Sequence, residues 1–204
     1  MTIHLHEGDL PADIFAPGAA LAVDTETLGL NPLRDRLCLL QIADGRGDEH
    51  LVRFPAGYDA PNLQAVLADP ARLKLYHFAR FDVAVIAHYL HVTAAPLFCT
   101  KVASRLVRTY TDRHGLKDLV RELLAVDISK AQQSSDWAAE TLSEAQKDYA
   151  ASDVRYLHRM HAILVERLAR DGRTEVAQAM FDFLPWRARL DLMGWPDTDL
   201  FAHA

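Results

Sequence analysis

Apolar runs that stop on acidic residues constrain this chain more than any other feature of its sequence. Ala19-Ala20-Leu21-Ala22-Val23 ends at Asp24, and Glu26 follows within Asp24-Thr25-Glu26-Thr27. A short run of this kind reads as a buried strand. Residues i and i+2 of a strand share a face, so both carboxylates leave the strand end together. Asp82 closes His77-Phe78-Ala79-Arg80-Phe81-Asp82. It falls near the start of a predicted helix, where the dipole favours a carboxylate. Tyr149 and Asp153 are four apart on another predicted helix and therefore stack on one face. Asp148 lies five before Asp153, about 140° around the helix, and faces away.

The remaining elements follow from periodicity. Leu37–Ile42 and Glu49–Phe54 read as strands that form an antiparallel meander with the first. The pattern then alternates between strand and helix. A helix is predicted over Asn62–Leu67, a strand over Leu73–His77, and helices over Asp82–Leu90, Lys101–Thr109 and Leu116–Val126. Residues 127–140 form a polar loop that carries Trp137. Thr141-x-x-Glu144 reads as a capping box opening one long helix toward Arg170, with Gly172 as its stop. A last helix starts near Thr174, bends or breaks near Pro185 and ends by Gly194. Together these predict an α/β fold with a mixed β-sheet flanked by helices and a C-terminal helical extension. The predicted division is a domain over residues 1–172 and an extension over 173–204, packed on that domain or in a subunit interface.

Bulk properties exclude several classes. With 204 residues, half of them hydrophobic, the chain can bury a sizeable core. No apolar stretch approaches the roughly 18 residues of a membrane span. The N-terminus lacks the basic start and apolar run of a secretory signal. Cys38 and Cys99 lack partners at zinc-ligand spacing and read as buried thiols of a cytoplasmic protein. A net charge of −6 disfavours charge-driven binding to long nucleic acid, but cations bound in a carboxylate-lined pocket would reverse its local sign.

Four carboxylates and a phenol suit hard-cation chemistry. Mg²⁺ and Mn²⁺ take oxygen ligands, and two such ions about 3.5–4 Å apart stabilise both the attacking and leaving oxygens of an in-line displacement. Asp24 is the expected bridging ligand, Glu26 and Asp153 hold one metal, and Asp82 supports the other. Tyr149 is placed to orient the attacking water. With an ordinary pKa of about 10, it needs help to act as a base.

These motifs resemble the DEDD superfamily of 3′–5′ exonucleases, in the branch with tyrosine in its third motif. His114-Gly115-Leu116-Lys117-Asp118-Leu119 and Gln133-Ser134-Ser135-Asp136-Trp137 resemble the RNase D group. Arg34–Cys38, Thr109–Lys117 and the end Asp199–His203 are similar to the short bacterial nano-RNase C family. The resemblance implies a ribonuclease H-like fold and a catalytic set of Asp24, Glu26, Asp82, Tyr149 and Asp153. It also implies a ring-shaped homo-octamer that cuts very short RNA, dinucleotides above all, to 5′-mononucleotides. A broader exonuclease on longer RNA or on DNA is the alternative. A binding protein or scaffold on the same fold would show a lost ligand position, and all five positions are filled.

Other residues leave two readings open. Leu30, six after Asp24, fits a wedge against the terminal base, as the resemblance implies, or a core leucine. His77 fits a site-orienting or a structural role. Arg108, Arg113, His114 and Lys117 form a basic patch that is either a solvated face or a phosphate contact, in this subunit or a neighbour. Thr25, Gln133 and Ser134 are candidate substrate contacts, Ser135 lies in the same polar loop, and Trp137 anchors that loop. Phe181, Phe183, Trp186, Trp195 and Phe201 either cover the core as a helical hairpin or anchor a subunit interface.

Overall fold

A computed structural model of the chain describes residues 2–129 and 131–203; Met1, Lys130 and Ala204, including both ends of the predicted division, lie outside it. Its centre is a six-stranded mixed sheet in the order β1-β4-β3-β2-β5-β6. The strands are β1 (Thr2–Glu7), β2 (Leu21–Thr27), β3 (Leu37–Ala43), β4 (Asp48–Arg53), β5 (Lys74–Tyr76) and β6 (Leu97–Cys99). β2–β3 and β3–β4 pair antiparallel, the expected meander. β1 joins β4, and β5 joins β2 and β6, in parallel. The ribonuclease H-like fold is the one expected, although β1 and β6 were absent from the periodicity reading.

β3 is buried at all of its positions, so it lies between two covered faces. Burying each of Leu39, Leu40 and Ile42 contributes about 1.5–3 kcal/mol. The helices are α1 (Pro61–Ala68), α2 (Ala79–Tyr89), α3 (Thr100–Val107), α4 (Leu116–Leu124), α5 (Glu144–Arg155), α6 (Leu157–Arg170) and α7 (Thr174–Leu192). α5 lies across β2, β3 and β4, whereas α6 packs on β5, α3 and α4.

Four local expectations change. α2 begins at Ala79, which puts Asp82 in its first turn. The capping box is formed by Ser143 and Gln146 rather than by Thr141 and Glu144: Ser143 Oγ accepts the Gln146 amide at 3.2 Å, and Gln146 Oε1 accepts the Ser143 amide at 3.0 Å. The single long helix is two, broken at Tyr156 (φ −104°, ψ −6°), because its halves pack on different partners. α7 runs unbroken through Pro185, since Phe181, Leu184 and Ala188 keep one face buried, with α2 beside it, on both sides of the proline. Gly172 does stop α6: its φ of 65° is left-handed, and Arg173 N reaches Leu168 O at 2.8 Å. Among the described residues, no helix is long and apolar enough to cross a membrane.

Candidate active site

The predicted carboxylates meet where β2 ends. The strand period carries Asp24 and Glu26 to one face, and α5 crosses that face with Tyr149 and Asp153. Carboxylate oxygens of Asp24, Glu26 and Asp153 all lie within 4.8 Å of one another. Asp82 is buried beside them and accepts a hydrogen bond from Thr25 Oγ1 at 2.7 Å. Thr25 therefore positions the fourth carboxylate. The Tyr149 hydroxyl bonds Asp153, and its ring stands 6.0 Å from the buried Trp137. Trp137 is buried among Leu39, Leu51 and Leu142, as fits an anchor for the polar loop that carries it. Asp148 points away to Arg155 at 3.3 Å.

The electrostatics of this cluster are unfavourable for a set of bare carboxylates. Burial, then repulsion from Asp82, Asp153 and Glu26, pushes the Asp24 carboxyl well up. Burial and repulsion raise Glu26 to about 9. Asp153 rises to about 7 for the same reasons. Asp82 also rises to about 7 through burial, with the Thr25 hydrogen bond opposing. Burial and the nearby carboxylates push the Tyr149 phenol up, away from a ready general base. Crowded oxygen donors that repel one another fit a hard divalent cation, which would draw all four back to the ionised form.

A cavity of about 540 Å³ contains Asp24, Thr25, Glu26, Leu30, His77, Phe78, Phe81, Asp82, Gln133 and Ser134 in its walls. An adjoining cavity of about 330 Å³ adds Lys101, Lys117, Tyr149 and Asp153. Leu30 is 88% exposed, which removes the core-leucine alternative. His77 lines both cavities, and its Nδ1 meets Thr100 Oγ1 at 2.9 Å. Ser135 Oγ bonds Gln132 Oε1 at 2.6 Å.

The predicted basic patch divides. Lys117 reaches the cleft, but Arg108 is a correction: it is 1% exposed. Its guanidinium is consumed by Glu122 at 2.5 and 2.9 Å, Ser104 Oγ at 2.9 Å and the Arg113 carbonyl at 2.7 Å. His114 Nδ1 is held by Ser104 Oγ at 2.8 Å, and Arg113 is exposed outside the walls of both cavities. Lys101 was missed. A lone lysine at a helix start carries no signal, and only the fold turns it toward the carboxylates. Phe78 was also missed. It has a left-handed φ of 73° at the start of α2, and the Lys101 ammonium lies 4.2 Å from its ring centroid.

A family model described as 3′–5′ exonuclease matches residues 11–169. Ribonuclease D of Gluconacetobacter diazotrophicus is 37% identical over 158 residues, covering 76% of this chain and 39% of that protein. The chain thus spans about two fifths of the length of the curated relatives it matches. Brucella melitensis NrnC is similar over its whole length, at 58% identity and a TM-score of 0.96, covering 100% of each chain. That protein has also been solved with Mg²⁺ and bound to pGG. Escherichia coli RNase D is 26% identical with a TM-score of 0.74, covering 84% of this chain and 45% of that one.

Proposed function

The chain belongs to the 3′–5′ exonuclease family, in the RNase D group near NrnC, and on that premise we propose that it is a metal-dependent exoribonuclease that degrades short RNA, dinucleotides above all, to 5′-mononucleotides. The observation that carries this reading is the convergence of Asp24, Glu26, Asp82 and Asp153 with Tyr149 in one cleft. Two divalent cations, Mg²⁺ or Mn²⁺, would be held by these four carboxylates and would stabilise the attacking and leaving oxygens of an in-line displacement. Tyr149 orients the attacking water, with Asp153 accepting its hydroxyl hydrogen. Thr25 fixes Asp82. Leu30 wedges against the terminal base, and Gln133, Ser134, His77 and Lys117 contact the sugar and phosphates. Arg113 and His114 would reach substrate only in a neighbouring subunit.

The dinucleotide preference is supported by the full-length likeness to NrnC, solved with pGG. A cytoplasmic homo-octamer is the assembly in this reading. It is supported by aromatic residues left exposed on α7 and the tail, Trp186 at 59% and Phe201 at 86% among them. Of the five C-terminal aromatics only Phe181 is buried, so the described residues of the extension, 173–203, read as having one face on the domain and one free for neighbours.

A second reading, trimming of longer RNA or DNA, is favoured by the curated relatives being named ribonuclease D. Mn²⁺-dependent hydrolysis of 5′-phosphorylated RNA from two to about ten nucleotides separates the two at fixed salt. A sharp maximum at the dinucleotide supports the first. Equal rates at all lengths replace it with the second.

A further inference from the structure

The pairing of β2 with β3 sets Gln41 directly opposite Asp24, and β4 sets Leu51 on the other side of Gln41. Opposed residues of an antiparallel pair share a face, with Cβ atoms about 4.5–5.5 Å apart. Gln41 therefore lies on the face that carries Asp24 and Glu26, in the layer covered by α5. It is 0% exposed, and neither its Nε2 nor its Oε1 has a hydrogen-bond partner among the described residues. Its surroundings give no packing reason for an amide. Leu39, two before it on β3, and Leu51 belong to an apolar cluster with Ala150 of α5. Glu49, diagonal to it on β4, gives one oxygen to Arg155 at 2.8 Å and keeps Oε2 unpaired. A methionine or leucine would fill the same slot without stranding polar atoms.

We propose that Gln41 is a positioning residue for metal binding, its Nε2 donating to the Asp24 carboxylate and holding it in the rotamer that meets the cations. The proposal rests on the reading that the four carboxylates take divalent metal. Groups behind a metal ligand fix its orientation, and their loss typically costs about tenfold to a hundredfold in affinity. Thr25 serves Asp82 in this way at 2.7 Å, and Gln41 is the corresponding group behind Asp24. Since Gln41 is wholly buried beneath the ligands, its effect falls on metal affinity and turnover and leaves substrate binding alone.

Gln41→Met and Gln41→Leu remove the amide and keep the slot filled. Wild type and both variants are compared as full-length proteins. Mn²⁺ affinity is read by calorimetry and Tm without metal, and kcat and KM are read on a 5′-phosphorylated dinucleotide. Affinity is expected to weaken about tenfold and kcat to fall by a similar factor, with KM unchanged and the metal-free Tm unchanged or higher. Either variant that folds is sufficient. Unchanged Mn²⁺ affinity overturns the proposal, and with a lower Tm it assigns the amide to Glu49 Oε2 instead. Weaker affinity with a lower metal-free Tm, or failure of both variants to fold, makes Gln41 a packing residue and also overturns it. A wild type that binds no Mn²⁺ overturns the metal reading together with the proposal. A wild type that binds Mn²⁺ but cuts no RNA refutes the exonuclease reading, and the affinity comparison still decides the role of Gln41.

Discussion

β2 and β5 run side by side, and their two ends treat buried charge in opposite ways. At the starting end Leu21 pairs with Lys74. The fully buried Lys74 ammonium donates to the carbonyls of Asp69, Arg72 and Ala95 at 2.8, 2.7 and 2.6 Å. Beside it Arg72 pairs with Asp69 at 3.0 Å. Each donor there has its acceptor, and the charge closes a corner of the fold. At the finishing end, four carboxylates crowd together: burial raises the pKa of all four, and repulsion adds to it at Asp24, Glu26 and Asp153. One end is complete within the chain, and the other is complete only with a cation from outside. The Lys74 end keeps part of its cost, since burial lowers the pKa of that ammonium to about 8, but its hydrogen bonds offset the rest within the chain, whereas the carboxylate end keeps its cost as a binding demand.

The sharpest way to break this contrast is Asp24→Asn. Loss of a central ligand should cut Mn²⁺-dependent turnover by about a thousandfold, several kcal/mol of barrier. The same change should raise the melting temperature of metal-free protein near neutral pH, because the fold no longer has to keep a buried carboxyl protonated that is ionised in the unfolded chain. A lower Tm would show that the cluster is not strained as described. At the other end, Lys74→Met strands three buried carbonyls and should cost about 3 kcal/mol in urea unfolding, with turnover per folded molecule unchanged.

Tyr149→Phe should lower turnover about a hundredfold while calorimetric metal affinity stays the same. A loss of metal binding would make the phenol part of the ligand set instead. The smallest effect is on pH. Unfolded carboxyls titrate near 4, whereas Asp82 and Asp153 titrate at about 7 and Glu26 at about 9 in the metal-free fold. The folded chain therefore holds more protons between those values, and metal-free stability falls as pH rises through that window. Mg²⁺ displaces the protons, so the Tm gap between loaded and metal-free protein should widen from pH 5 to pH 8. His50, pushed down to about 4 by burial and its histidine neighbours, titrates alike in both forms and cancels. A constant gap would count against the shifts.

Much of this architecture was legible because local rules sufficed. The run before Asp24 and the two runs after it carried the meander, and the i, i+2 and i, i+4 rules placed each acidic pair on one face. β1 escaped because Thr2-Ile3-His4-Leu5-His6-Glu7 puts histidines where a buried strand shows apolar residues; His4, His6 and His50 instead stack together at the sheet edge. The break at Tyr156 escaped because nothing local to it breaks a helix. Arg108 was misread because its partner Glu122 lies a helix away and only packing joins them. Lys101 and Phe78 gained their positions from the meeting of α2 and α3 with the cleft. Bringing the three acidic motifs together likewise needed the family resemblance, since spacing within one element says nothing about distance to another.

The interruption at Tyr156 also bears on how this protein can change over generations. In a continuous helix, one inserted residue rotates everything on one side of it by about 100° relative to the other. Here Tyr149 and Asp153 sit on a segment that begins at its own Ser143 cap and ends before α6 begins. Insertions or deletions downstream of Tyr156 can be absorbed at the joint without turning the face that carries Tyr149 and Asp153. The helical periphery is thereby free to drift or acquire new neighbours, while the orientation of the two side chains proposed for the chemistry is inherited unchanged.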